Sequence, residues 1–280
     1  MSRLLKPLML LAVLTFLPAF GSGERLFAPS ADLWDRWSKH DAGSTRQIDH
    51  SAWDQLLKTY VQQGSDGVNR VDYRGFAANG RSALQAYLSA MSEAPVDTLG
   101  RAEQMAYWIN LYNALTVQVI LDNYPVESIR DVNTSPGLFS SGPWGQEVIE
   151  IGGTGLTLND IEHRILRPIW NDPRIHYAVN CASIGCPDLS TSAYRGVDIE
   201  KALDRAARDY VNDPRGVSVR DGKVTVSRIY DWFIEDFGGT EQSVLAHLSR
   251  YAEPGLAEQL RAAGGLEDTQ YDWSLNDAKR

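Results

Sequence analysis

Arg101 to Asn123 reads RAEQMAYWINLYNALTVQVILDN. On a helix of 3.6 residues per turn, Met105, Trp108, Ile109, Tyr112, Leu115, Val119 and Ile120 share one apolar face, and Ala106, Ala114, Val117 and Leu121 make the opposite side apolar too. A helix that is apolar all round belongs at the centre of a domain. Asn110 and Asn113 stand three residues apart on the flank between those faces. Buried amides need hydrogen-bond partners, so both are expected to face other parts of the chain. Proline disfavours helical geometry in the residue before it, which ends the helix at Asn123-Tyr124-Pro125.

Outward from this helix the chain is mixed. Asp49 or Ser51 caps a helix running to about Gln62, Val68–Tyr73 reads as a short strand, and Ser82–Ser92 is a second amphipathic helix. Downstream, Glu147–Ile151 and Leu156–Leu158 read as strands. Asn159 and Glu162 then form a capping-box pattern for a helix over Asp160–Arg167. Arg174–Cys181 is predicted as a buried strand and Val197–Val211 as a helix. Asp221-Gly222 marks a tight hairpin between two Val-rich strands. Three further helices are predicted, around Tyr230–Phe237, Thr240–Ala252 and Leu256–Ala262. Helices, then strands, then helices predict an α+β domain, with the central helix packed on a mixed, mostly antiparallel sheet.

The first residues place Arg3 and Lys6 before an apolar run from Leu8 to Phe20, then Gly21-Ser22-Gly23. This is the pattern of a cleaved secretory signal over residues 1–23, the run being short for a membrane span. The mature protein is then secreted, with the periplasm as its expected compartment. Residues 24–48 read as an N-terminal extension, 49–276 as one globular domain and 277–280 as a tail, with no repeat or low-complexity linker to divide them. Losing the two cations of the signal takes the formal charge from −9 to −11. That balance argues against nucleic acid or anionic membrane as partner. No membrane span is expected in the mature chain, and the expected partner is an envelope protein or a peptide-like substrate.

Two cysteines, Cys181 and Cys186, and five histidines bound the chemistry. In an exported protein two near cysteines predict a disulfide, and four intervening residues suffice to close a loop. The competing reading makes Cys181 a nucleophile, with His176 as base and Asn180 or a backbone N–H holding the oxyanion. On a regular strand His176 and Asn180 would share one face and Cys181 the other, so a direct pair requires a break near Asn180. Glu162-His163 is a second acid–base candidate, while His40, His50 and His247 read as peripheral. Asn110 and Asn113 are either substrate or oxyanion donors, or ties between the core helix and a neighbouring loop. Trp108, Trp144, Trp170, Trp232 and Trp273 read as core or cleft-lining aromatics. The C-x-x-x-x-C spacing is not a redox C-x-x-C, and His176, Cys181 and Cys186 lack a fourth nearby metal ligand, so neither cofactor nor metal is expected.

AYWINLYNAL from Ala106, LNDIEHRILR from Leu158, IHYAVNCAS from Ile175, Cys186-Pro187 and YDWSLN from Tyr271 resemble, in this order, the blocks of the domain of unknown function 547 family. That family is distantly similar to papain-like and transglutaminase-like thiol enzymes, which set a nucleophilic Cys on a central helix and a His on a following strand. The resemblance implies that His176 holds the strand position and that Asn110 and Asn113 stand where the helix would carry the thiol. Two functions follow: a thiol-dependent hydrolase or acyltransferase acting on peptide or amide bonds, or a non-catalytic envelope binding or scaffold module with a structural disulfide.

Overall fold

The structure, a computed structural model, describes residues 28–136 and 142–279. The expected signal over residues 1–23 lies outside this range. The architecture is a single α+β domain. The first helices are α1 (Ser51–Tyr60), α2 (Tyr73–Asn79) and α3 (Arg81–Ser92), with a short antiparallel pair, β1 (Val61–Gln63) and β2 (Asn69–Val71), between α1 and α2. Helix α4 (Arg101–Asn123) has the predicted limits, and from Met105 to Val117 every residue is buried.

Helix α4 packs chiefly against α2, α3 and later helical segments. The single sheet expected beneath it is instead divided into small units. A hairpin follows α4, formed by β3 (Glu147–Ile151) and β4 (Thr154–Thr157). Next come a π-helix over Asp160–Leu166, α5 (Arg167–Trp170) and a 3₁₀ turn over Pro173–Tyr177. After α6 (Ile199–Val211), β5 (Val217–Arg220) and β6 (Lys223–Ser227) pair antiparallel, and β7 (Asp268–Gln270) runs parallel to β6. Between β6 and β7 lie α7 (Ile229–Trp232), a 3₁₀ turn over Ile234–Phe237, α8 (Glu241–Tyr251) and α9 (Pro254–Ala262). Asp221 and Gly222 at the β5–β6 turn have φ of 51° and 75°, the left-handed pair that a two-residue hairpin requires.

Buried side chains form two apolar clusters. One surrounds α4 and includes Trp37, Trp53, Trp108 and Tyr112. The other joins α6, β5, β6, α7 and α8 through Tyr177, Tyr210, Tyr230 and Phe237. Burying a side chain the size of Trp108 contributes about 3 kcal/mol or more. The polar residues of α4 tie loops to this frame. Gln104 donates to the carbonyls of Lys39 and Val96 at 2.8 Å each, and Glu103 accepts from the amides of Ile48 and Gly196.

The predicted strand over Arg174–Cys181 is not one. Pro173 opens a 3₁₀ turn capped by Asp172, whose side chain accepts from Arg174 N–H. Proline presets the turn geometry and the cap holds it, so an apolar run with no paired edge winds up instead of extending. The capping box at Asn159 is also absent. Asn159 makes no side-chain cap, and Asp160 accepts from both the amide and the hydroxyl of Thr157.

Candidate active-site cleft

A cleft of about 630 Å³ runs along the seam between the two apolar clusters, with Tyr112 and Val179 on one side and Ile229 and Phe233 on the other. Glu162, His163, His176, Cys181 and Cys186 all line it. This gathers residues that lie up to 24 positions apart in sequence. A larger depression of about 900 Å³ beside α6 offers neither thiol nor imidazole, and its Arg215 is already bonded to Asp188 and Asp213.

The π-helix explains how Glu162 and His163, adjacent in sequence, both reach the cleft. Arg167 N–H bonds Glu162 O, the i→i+5 closure of the wide helix, and such single-turn π segments recur at functional sites. Arg167 is the hub of this wall. Its Nε and Nη2 grip Asp236 at 2.6 and 3.1 Å, while Nη1 donates to Pro29 O at 2.7 Å and meets His163 Nδ1 at 3.0 Å. Because a guanidinium only donates, His163 Nδ1 accepts and the ring proton sits on Nε2. Burial, with help from Arg167 and despite the pull of Glu162, lowers the His163 pKa to about 4.

His176 is 4% exposed and stacks on Phe233 at 4.5 Å. Its Nε2 lies 2.7 Å from Asp236 Oδ2 and its Nδ1 lies 3.8 Å from Glu162 Oε1. Burial opposes ionisation of Asp236, but the hydrogen bonds and charges of His176 and Arg167 win and hold its carboxyl well below the ordinary range. Neither Asp236 nor Arg167 stood out in the sequence. An Arg-Pro step and an Asp-Phe-Gly turn are unremarkable until the fold sets them 69 residues apart but in contact.

Cys181 and Cys186 are free thiols and are not bridged, which overturns the expected disulfide. Cys186 Sγ accepts instead from Cys181 N–H at 3.0 Å. Cys181 Sγ lies 3.0 Å from Tyr271 Oη and 3.3 Å from Ser183 Oγ, so the groups touching the sulfur are hydroxyls, and the expected direct pairing with His176 is not made. Burial raises the Cys181 pKa, yet the donors Cys186, Ser183 and Tyr271 outweigh it and the net direction is downward. Cys186 moves the opposite way, pushed up by burial and by its neighbour. The residue after the thiol, Ala182, is fully buried with φ of 59°. A non-glycine residue held there costs about 1–2 kcal/mol, and such strain persists only where the surroundings impose it. Here Asn180 Oδ1 accepts from Ala182 N–H at 2.9 Å, and Ala182 O accepts from Asn276 N–H at 3.1 Å.

The three asparagines, for which a substrate or oxyanion role is one reading, bond backbone groups of neighbouring loops. Asn110 donates to Tyr194 O at 2.8 Å and accepts from Tyr194 N–H at 2.9 Å. Asn113 treats Ala178 O and Asn180 N–H in the same way, at 2.9 and 2.8 Å. Asn180 donates to Pro187 O at 2.8 Å. Each amide bonds backbone groups, and none of the three lines the cleft. Asn113 faces the His176–Cys181 segment as expected, whereas Asn110 holds the Tyr194 loop. His50 and His247 are not peripheral. His50 Nδ1 lies 2.7 Å from Tyr87 Oη, and His247 Nε2 lies 2.9 Å from Tyr177 Oη within the second cluster.

The C-terminal segment completes the cleft. Ile184 and Gly185 donate backbone hydrogen bonds to Ser274 O and Asp272 O, and Leu275 bridges Ser183. These contacts bring Tyr271 onto the thiols and Trp273 beside Tyr271, where with Trp144 and Trp232 they form an aromatic wall. Among the described residues, no group of three or more His, Cys, Asp or Glu side chains is arranged to hold a metal ion.

The fold and cleft define an α+β protein with a hydroxyl-supported thiol beside a buried carboxylate–histidine–arginine cluster. The stretch over residues 96–211 matches the family described as protein of unknown function, DUF547. It carries α4, the π-helix, both thiols and α6. No curated protein and no solved structure matches the chain. Among the described residues, no helix is long and apolar enough to cross a membrane.

Proposed function

We propose that this protein is a thiol-dependent hydrolase or acyltransferase acting on peptide or amide bonds, with Cys181 as nucleophile. The observation that carries the reading is the Cys181 sulfur, placed in the cleft with hydroxyl donors on it and with Glu162, His163 and His176 around the same space. Hydrogen bonds to a thiolate favour it over the thiol, and the thiolate is the nucleophile. In the reaction, the Cys181 thiol gives its proton to His176, Sγ forms a bond to the carbonyl carbon and the C–N bond breaks. The leaving nitrogen takes a proton from His176 Nδ1, the ring nitrogen that Asp236 leaves unengaged. Water or an acceptor amine then attacks the thioester, returns a proton to His176 and frees the sulfur. Export through the signal over residues 1–23 and a distant kinship with papain-like and transglutaminase-like enzymes belong to the same proposal.

Intact-mass measurement after incubation with a panel of N-acyl dipeptide 4-nitrophenyl esters tests this. The expected result is a transient acyl adduct that disappears in Cys181→Ala. A thiol that alkylates with iodoacetamide but never acylates overturns it. The second reading, a non-catalytic envelope binding module, draws on the absence of an imidazole from the contacts of Cys181 Sγ.

A further inference from the structure

We propose that the cleft selects substrates bearing a primary ammonium group, with Glu162 as the specificity-determining residue that receives it. The word substrate rests on the Cys181 reading, whereas the binding does not.

The charges around Glu162 are unequal. Arg167 is committed to Asp236 through two hydrogen bonds, which matches one carboxylate with one guanidinium, and Arg130, which lines the cleft, rests on the Trp273 ring. Glu162 is a second carboxylate, 8% exposed, and among the described residues no lysine or arginine nitrogen pairs with it. Its ion-pair neighbours are His163 Nδ1 at 4.0 Å and His176 Nδ1 at 3.8 Å, and Tyr112 lines the cleft with it. His163 is uncharged near neutral pH, since burial keeps its pKa at about 4. His176 already serves Asp236 on its other nitrogen. A buried carboxylate without a matched cation is costly, and a ligand cation that enters beside it removes that cost.

The rest of the cleft suits a cation on an apolar stem. Trp144, Trp232, Phe233 and Trp273 present aromatic surface, and ring faces attract cations as they strip water from them. Arg130 already rests over the Trp273 ring at 5.2 Å, so this wall accepts a cation in the folded protein. A volume of about 630 Å³ accommodates a ligand of dipeptide size, with methylenes along the rings and the ammonium at Glu162.

Two probes with the same four-carbon side chain decide the matter: Nα-acetyl-lysine amide, which ends in an ammonium, and Nα-acetyl-norleucine amide, which ends in a methyl. Binding to the full chain is followed by tryptophan fluorescence and by calorimetry. The expected result is at least tenfold tighter binding of the lysine probe, with the preference lost in Glu162→Gln. Equal or tighter binding of the norleucine probe to the unmodified protein overturns the proposal without reference to any variant. So does a Glu162→Gln protein that melts normally and keeps the full preference, and so does no measurable binding of either probe. Repeating the titration in Cys181→Ala separates the two ideas. Intact lysine preference there, alongside no acyl adduct in the unmodified protein, would sink the nucleophile reading and leave the ammonium site standing.

Discussion

Asp236 Oδ2 lies 2.7 Å from His176 Nε2, and the same carboxylate group is gripped by both Nε and Nη2 of Arg167. One side chain thus sets the orientation of the cleft histidine and neutralises the buried guanidinium that supports His163. Bidentate carboxylate–guanidinium pairs are the geometrically specific kind, and this one joins the 3₁₀ turn after α7 to α5.

Asp236→Ala is expected to destabilise the protein by about 3–5 kcal/mol, the usual cost of leaving a buried charge without its partner. Urea unfolding measures it. A loss under about 1 kcal/mol would mean that Arg167 finds solvent or another acceptor, and that the cluster is not rigid.

Acid should weaken the fold well above the range of ordinary carboxylates. Burial lowers the pKa of His50, His163 and His247 to about 4 each, against an ordinary value near 6.5. Between those values the unfolded chain binds more protons than the folded one, so stability rises with pH across the window. It is fully present above about 6.5 and is lost progressively as pH falls toward 4, at up to about 1.4 kcal/mol per pH unit for each fully buried histidine. Thermal melts from pH 7 to 4 should show a falling midpoint, and His247→Phe should flatten the slope. A midpoint independent of pH over that range would contradict the burial of these rings.

Tyr271→Phe removes a hydroxyl 3.0 Å from Cys181 Sγ. The thiol should lose a donor to its thiolate form, so the pH profile of iodoacetamide alkylation should move upward and the rate at pH 7 should fall about tenfold, equivalent to one hydrogen bond of roughly 1.4 kcal/mol. Adding Ser183→Ala should move the profile further in the same direction. An unchanged profile in the double variant would show that the hydroxyls do not tune the sulfur.

Asn110→Ala and Asn113→Ala each strand one buried backbone N–H and one buried C=O. Each should cost about 2–6 kcal/mol, from roughly 1–3 kcal/mol per unpaired group. Only Asn113→Ala should also alter Cys181 alkylation, because Asn113 holds Asn180 next to the thiol, whereas Asn110 holds the Tyr194 loop. Equal effects of the two on alkylation would place the Tyr194 loop in the site.

Local pattern was enough for the central helix, and the structure returned its limits because Pro125 and an apolar circumference act within the segment itself. The same holds for the Asp221-Gly222 hairpin, where the turn chemistry is carried by two adjacent residues. Glu162, His163, His176 and Cys181 were legible as candidates because their residue types are few and chemically distinctive, and the cleft does gather them. Tertiary structure decided what each one touches. Asp236 is 60 residues from His176 and Tyr271 is 90 from Cys181, distances at which no periodicity or spacing constrains a contact. It also decided that Arg174–Cys181 would wind into a turn, since a strand needs a paired edge and none lies beside it. The two asparagines of the opening helix show the division well. Their type and burial required partners, but only the folded chain revealed that those partners are backbone groups of Tyr194, Ala178 and Asn180, so that the amides shape the site without entering it.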